Sequence, residues 1–347
     1  MSNGLEEIFN FFDPLKIEDF SDLSYLEDKM SIGSNILINM TGANIPFNER
    51  FEVCFLFVEE EGGQGDNTIQ QIREELYKLK KVASNLRIAD LGNLRRGKNF
   101  TESMFALQES CALLFKNKVN VIVIGQSQAL TVGAFRALRE FENDINLVTI
   151  DSRIDLSFDE KPLRDSYLDL IIEKEKASLY NITCLGYQSY FVDQKQLNRL
   201  NELYFEHFRI GKIRENITET EPILRDSDLV SFDLGAVRMS DSPGSRNPSP
   251  NGLYGEEACQ LARYSGLSDR IRLFGLFEAE GNKDNNNRQT QKLSAQIIWY
   301  YLEGYINRKH DYPQVSLEEY TKYIVEIDEI EIPIVFYKSN KSNRWWI

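Results

Sequence analysis

What most restricts the fold of this chain is a recurring alternation of short apolar runs with longer stretches of helical periodicity. Runs rich in β-branched and aromatic residues occupy 51–58, 119–124, 146–150, 182–187, 229–234, 271–277 and 332–337. Most are apolar throughout rather than alternating, the pattern of strands covered on both faces. The stretches 68–80, 102–116, 130–141, 194–208, 255–265, 288–304 and 317–324 read as helices. Strand and helix in turn predict a three-layer α/β/α domain around a central, mostly parallel sheet. Pro333, inside the last run, places that strand at an edge.

With 347 residues, 42% of them hydrophobic, the chain can bury a large core, and no linker divides it. We expect an N-terminal extension (1–50) packed on the core, an α/β domain (51–310), and a C-terminal helix, strand and aromatic tail (311–347) completing the same domain. Polar segments at 59–67, 240–252 and 281–287 read as loops. The net charge of −14 excludes nucleic acid as a partner and adhesion to an anionic membrane by charge. No apolar stretch approaches the roughly 20 residues needed to cross a bilayer, so direct membrane insertion is not expected. The first residues carry Glu6 and Glu7 and resemble no targeting signal. Cys54, Cys111, Cys184 and Cys259 form no CxxC pair and read as buried free thiols, which implies the cytoplasm.

In a sheet of this kind function collects at the carboxyl ends of the strands. Those ends here read Gly125-Gln126-Ser127-Gln128, Asp151-Ser152-Arg153-Ile154-Asp155, Gly186-Tyr187-Gln188, Asp233-Leu234-Gly235 and Glu278. A lone Asp in such a place is ordinarily a helix cap or loop hydrogen-bond acceptor. Several carboxylates on one rim repel one another unless a cation neutralises them, so together they point to a site or its remnant.

At these positions the sequence resembles the arginase–agmatinase–formimidoylglutamase, or ureohydrolase, family. That family shows GGDHS after one strand, DAHxD after the next, and SxDxDxxDPxxAPGTGTPxPGGL after a later one. This chain has Gly125-Gln126-Ser127-Gln128-Ala129, then Asp151-Ser152-Arg153-Ile154-Asp155, then an ungapped match from Ser231 to Leu253 followed by Glu257-Ala258. Glu278 falls where the family places a substrate-contacting acid. The resemblance implies an arginase-like fold and, in the family, hydrolysis of guanidino or formimino C–N bonds with two bridged manganese ions. The formimidoylglutamase branch is the most similar.

Carried over by position, Asp151, Asp155 and Asp233 keep the family's ligand types. Gln128 and Arg153 replace its two histidines, and Gly235 replaces its last aspartate. Arginine is permanently protonated and only donates hydrogen bonds, so it cannot ligate a cation. We therefore expect Arg153 to stand in for a missing ion, pairing with Asp151 and Asp233. His207, in an expected helix, and His310, in a polar connection, are the only histidines and are not expected to be ligands.

The primary expectation is a catalytically inactive protein-binding scaffold or regulator, with no catalytic residue and no cofactor. It would act with a protein partner, with a homo-oligomer as a further option; aromatic residues near both termini, Phe9, Phe11, Trp345 and Trp346 among them, fit that role. The alternatives are a hydrolase with an altered mononuclear site of Asp151, Asp155, Asp233 and Gln128 using manganese or magnesium, and a sensor whose pocket retains Glu278.

Overall fold

The computed structural model describes residues 6–43, 45, 50–59, 67–83, 85–313, 317–327 and 330–347. Most of the loop expected at 59–67 lies outside them. The strands are β1 (Phe12–Asp13), β2 (Leu37–Ile38), β3 (Val53–Val58), β4 (Ile88–Leu94), β5 (Asn120–Gly125), β6 (Ile145–Ile150), β7 (Leu179–Tyr187), β8 (Glu206–Arg209), β9 (Leu229–Asp233), β10 (Leu273–Phe277), β11 (Tyr320–Ile327), β12 (Ile330–Ser339) and β13 (Trp345–Trp346).

A ten-stranded sheet runs in the order β1-β4-β3-β5-β10-β9-β6-β7-β8, with β2 also on β4. From β4 to β8 every pairing is parallel, whereas β1 is antiparallel to β4. β3, β5, β6, β9 and β10 are buried along their whole length, as their apolar runs predict. Along β3, Leu56 and Val58 face one core with Leu107, Leu114 and Phe135, while Phe55 and Phe57 face the other with Ile72, Leu76 and Ile297. This two-residue alternation creates the three layers.

Helices Phe100–Lys116, Thr131–Leu138 and Tyr167–Lys174 cover the first face. Thr68–Lys78, Gly255–Gly266 and Gln289–Ile306 cover the second. Asn99 opens the first of these by accepting a hydrogen bond from the Glu102 N–H. The last two helices approach so closely that a Cβ on Gly266 would lie 2.2 Å from the Tyr301 carbonyl, so only glycine fits there.

β4 went unread because Asp90, Gly92 and Asn93 interrupt its apolar pattern. Asp90 is fully buried and held by Arg73 Nε at 2.9 Å and the Tyr77 hydroxyl at 2.6 Å. Residues 317–324 also depart from the expectation. The expected C-terminal helix is strand β11, in a separate three-stranded antiparallel sheet β11-β12-β13. Its sequence Tyr320-Thr321-Lys322-Tyr323-Ile324-Val325 is aromatic and β-branched, which favours the strand. β12 is the middle strand of that sheet rather than an edge; Pro333 is accommodated where the β11–β12 register slips.

Candidate active site

β5, β10, β9 and β6 are immediate neighbours, although they come from distant parts of the chain. Their carboxyl ends deliver Gln128, Glu278, Asp233, and the Asp151–Asp155 segment to one rim. The chain passes from β5 to β6 over two intervening strands, which makes this rim the reversal point where open α/β sheets bind ligands.

Asp151 is buried and accepts the Arg153 N–H at 3.0 Å. Burial lifts its carboxyl to about 6. Asp155 and Asp233 are pushed well above the ordinary carboxylate range, first by desolvation and then by the negative charges of Asp151 and Glu278. Asp233 also caps its own turn, accepting the Gly235 N–H at 2.5 Å. The Gln128 side-chain N–H group reaches the Ser231 carbonyl at 3.4 Å, while its Oε1 is buried without a hydrogen-bond partner. Among the described residues no three carboxylates, thiols or imidazoles already converge as in a formed metal site. The aspartates nonetheless stand near enough to raise one another's pKa.

Arg153 does not do what its charge predicts. Its guanidinium lies over the Phe191 ring, 4.1 Å from the centroid, and among the described residues makes no ion pair with Asp151 or Asp233. A planar, weakly hydrated cation gains from stacking on an aromatic face, and that contact turns it toward the cleft. The expected salt-bridged cluster is absent among the described residues.

Two other arginines, Arg164 and, within the Ser231–Leu253 segment, Arg246, reach Glu278 instead. Arg164 Nε lies 3.3 Å from Oε1, and Arg246 Nη1 lies 3.8 Å from Oε2. The Gln128 N–H donates to Oε1 at 2.8 Å. Arg164 also donates to the Ser127 hydroxyl and the Gln126 carbonyl. Glu278 itself adopts a left-handed backbone conformation, φ 68°, a strained state that marks functional positions more often than chance. Tyr167 is a further residue that sequence reading passed over. Its hydroxyl is hydrogen-bonded to Ser231, and burial with the charges of Asp155 and Asp151 pushes its pKa up.

A polar cleft of about 490 Å³ opens from Asp155 and is lined by Arg153, Lys161, Asp165, Phe191 and Arg246. His207 lies in strand β8 rather than a helix, edge-on to Tyr187, and His310 sits 3.6 Å from Asp269; neither joins the rim. No helix among the described residues is long and apolar enough to cross a membrane.

A family model described as the Arginase family matches residues 65–303. Formimidoylglutamase of Staphylococcus haemolyticus is 23% identical over 240 residues, covering 67% of this chain and 76% of the relative. Formimidoylglutamase from Bacillus subtilis superposes with a TM-score of 0.69 at 16% identity, over 84% of this chain and 95% of that one. Trypanosoma cruzi formiminoglutamase with Mn2+ gives 0.66 at 17% identity, over 74% and 94%.

These likenesses correct the functional expectations. The relatives are named as enzymes, which overturns the inactive scaffold and the lean away from catalysis. A neighbour carrying Mn2+ likewise overturns the expectation of no cofactor. With the family model spanning most of the sequence and the same three-layer fold in the solved structures, the chain belongs to the arginase family.

Proposed function

We propose that this chain hydrolyses a formimino or guanidino C–N bond with the help of one divalent cation, manganese or magnesium. Asp151, Asp155, Asp233 and Gln128 Oε1 would hold it. The reading rests on three desolvated aspartates that form no ion pair with a described basic side chain, beside a buried amide oxygen lacking a partner. An all-oxygen donor set suits hard cations. A second ion has no comparable support, because Arg153 offers only donors and Gly235 has no side chain.

A bound cation would supply the positive charge that brings the pKa of water toward neutrality. The rest falls to the chain. Glu278, fixed by Arg164, Arg246 and the Gln128 N–H, holds a carboxylate at the rim in one orientation. Tyr167, hydrogen-bonded to Ser231 and close to Asp155 and Asp151, keeps its phenolic proton. Arg153, Lys161 and Arg246 on the cleft wall match a substrate that carries carboxylate as well as the scissile group. The four buried free thiols fit a reducing cytoplasm.

Calorimetric titration of chelator-treated protein with Mn2+ tests the site. One ion per chain, lost in Asp233→Ala and Asp155→Ala, is the expected result. No binding, or binding unaffected by both substitutions, contradicts it.

A further inference from the structure

The C-terminal sheet has an inner and an outer face. Its inner face is fastened to the α/β domain. Arg225 lies over the Trp346 ring at 4.7 Å, Arg344 pairs with Glu221 at 3.1 Å, and the Tyr320 hydroxyl donates to the Asp311 carbonyl at 2.5 Å. The outer face carries Tyr323, Phe336 and Trp345, with the Tyr323 and Trp345 rings 5.0 Å apart. Tyr323 and Trp345 are both more than two-fifths exposed.

Among the described residues β11 pairs with β12 alone, so its other edge is open over eight residues. Tyr323, Ile324 and Val325 on it are exposed. Long open edges with apolar side chains are ready templates for another strand, and proteins normally blunt or cover them. Nothing described covers this one, and Lys322 and Glu326 lie on it as a pair of opposite charges four residues apart.

The hydrogen-bond phase restricts how a second strand can add. Asn340 N–H donates to the Glu319 carbonyl, so Glu319 and every second residue after it turn their backbone groups toward β12. The alternate residues, Lys322, Ile324 and Glu326, therefore turn theirs to the open edge. An antiparallel copy of β11 must pair those residues with their own kind. Centring on Lys322 or on Glu326 sets like charges opposite each other. Centring on Tyr323 sets each charge opposite an uncharged residue, and centring on Val325 sets Glu326 opposite Ile324 and leaves Lys322 beyond the end of the partner's β11. Centring on Ile324 sets Lys322 opposite Glu326 twice over, and Tyr323 opposite Val325 twice over.

We propose that two copies of this chain associate through β11, antiparallel about Ile324, with Lys322 opposite Glu326 of the partner subunit and Glu326 opposite the partner's Lys322. The two sheets become one continuous six-stranded sheet with an aromatic outer face. The inference does not depend on the catalytic reading. An interface founded on one strand lies at the small end of the size range, so association is reversible.

Sedimentation of the full chain across a wide concentration range tests it. The wild type is expected to pass from monomer to dimer. Lys322→Glu or Glu326→Lys alone sets like charges opposite in both pairs and weakens self-association about tenfold. The double variant Lys322→Glu/Glu326→Lys restores it, and mixing the two single variants yields a heterodimer tighter than either alone. Ile324→Cys, which leaves the charges intact, gives a covalent dimer on oxidation. A chain that stays monomeric, or one whose association ignores both reversals, overturns the proposal.

Discussion

Arg153 stacks its guanidinium on Phe191 and leaves the carboxylate of Asp151, two residues away, without that positive charge in contact. On the proposed reading, Asp151, Asp155, Asp233 and Gln128 would hold the cation, while Arg153 is part of the cleft wall. Gly235 has no side chain to offer a cation. A Cβ there would lie 3.1 Å from Asp233 Oδ1, a tight but adjustable contact.

Restoring ligand types should therefore restore a second ion. Arg153→His with Gly235→Asp is expected to raise bound Mn2+ from one to two per chain, measured by elemental analysis after dialysis. Gly235→Asp alone should destabilise the chelated protein, because it adds a carboxylate to an already repulsive cluster. Unchanged stoichiometry in the double variant would show that the second position is lost for reasons beyond its ligands.

The same cluster fixes a pH dependence. A carboxyl whose folded pKa lies above its unfolded value, near ~4, binds its proton more tightly when folded. Its contribution to stability is complete below the unfolded value and is lost as pH rises through the folded one. With Asp151 at about 6 and Asp155 and Asp233 well above the ordinary carboxylate range, chelated protein should lose stability as pH rises toward neutrality. Asp22, Asp28, Glu74 and Asp241 are lowered and act oppositely, on the acid side. Thermal unfolding should show Asp155→Asn/Asp233→Asn flattening the neutral limb. An equally steep limb in that variant would contradict the assignment.

The Arg73–Asp90 pair is buried on both sides, and Asp90 also accepts the Gly92 N–H at 2.8 Å. Removing one partner strands the other charge in the core. Asp90→Ala should cost about 3–5 kcal/mol by urea denaturation, against less than about 1 kcal/mol for Asp13→Ala, whose pair with Arg95 is exposed.

Much of this architecture is legible in the sequence, for a physical reason. Strands buried on both faces, such as β3 and β5, must be apolar throughout, which separates them from the helices between them. β4 escapes because its buried polar residues are satisfied by Arg73 and Tyr77, partners that no local pattern reveals. β11 is ambiguous in sequence because a short apolar stretch fits both periods, and only its β-branched content decides. At the site, Asp151, Asp155 and Asp233 are readable as strand-end acids. Arg164, in the short 3-10 helix Leu163–Asp165, and Arg246 are not, since each reaches Glu278 from a part of the chain distant in sequence. Arg153's orientation depends on Phe191, a neighbour in space that its charge alone could not indicate.

Turnover is the decisive measurement for the proposed hydrolysis. Full-length protein loaded with Mn2+ should release product from formiminoglutamate, agmatine or arginine. That turnover should disappear on chelation, return on adding Mn2+ back, and vanish in Asp233→Ala. Fully loaded protein that turns over none of the three, or activity that survives Asp233→Ala, would contradict the account.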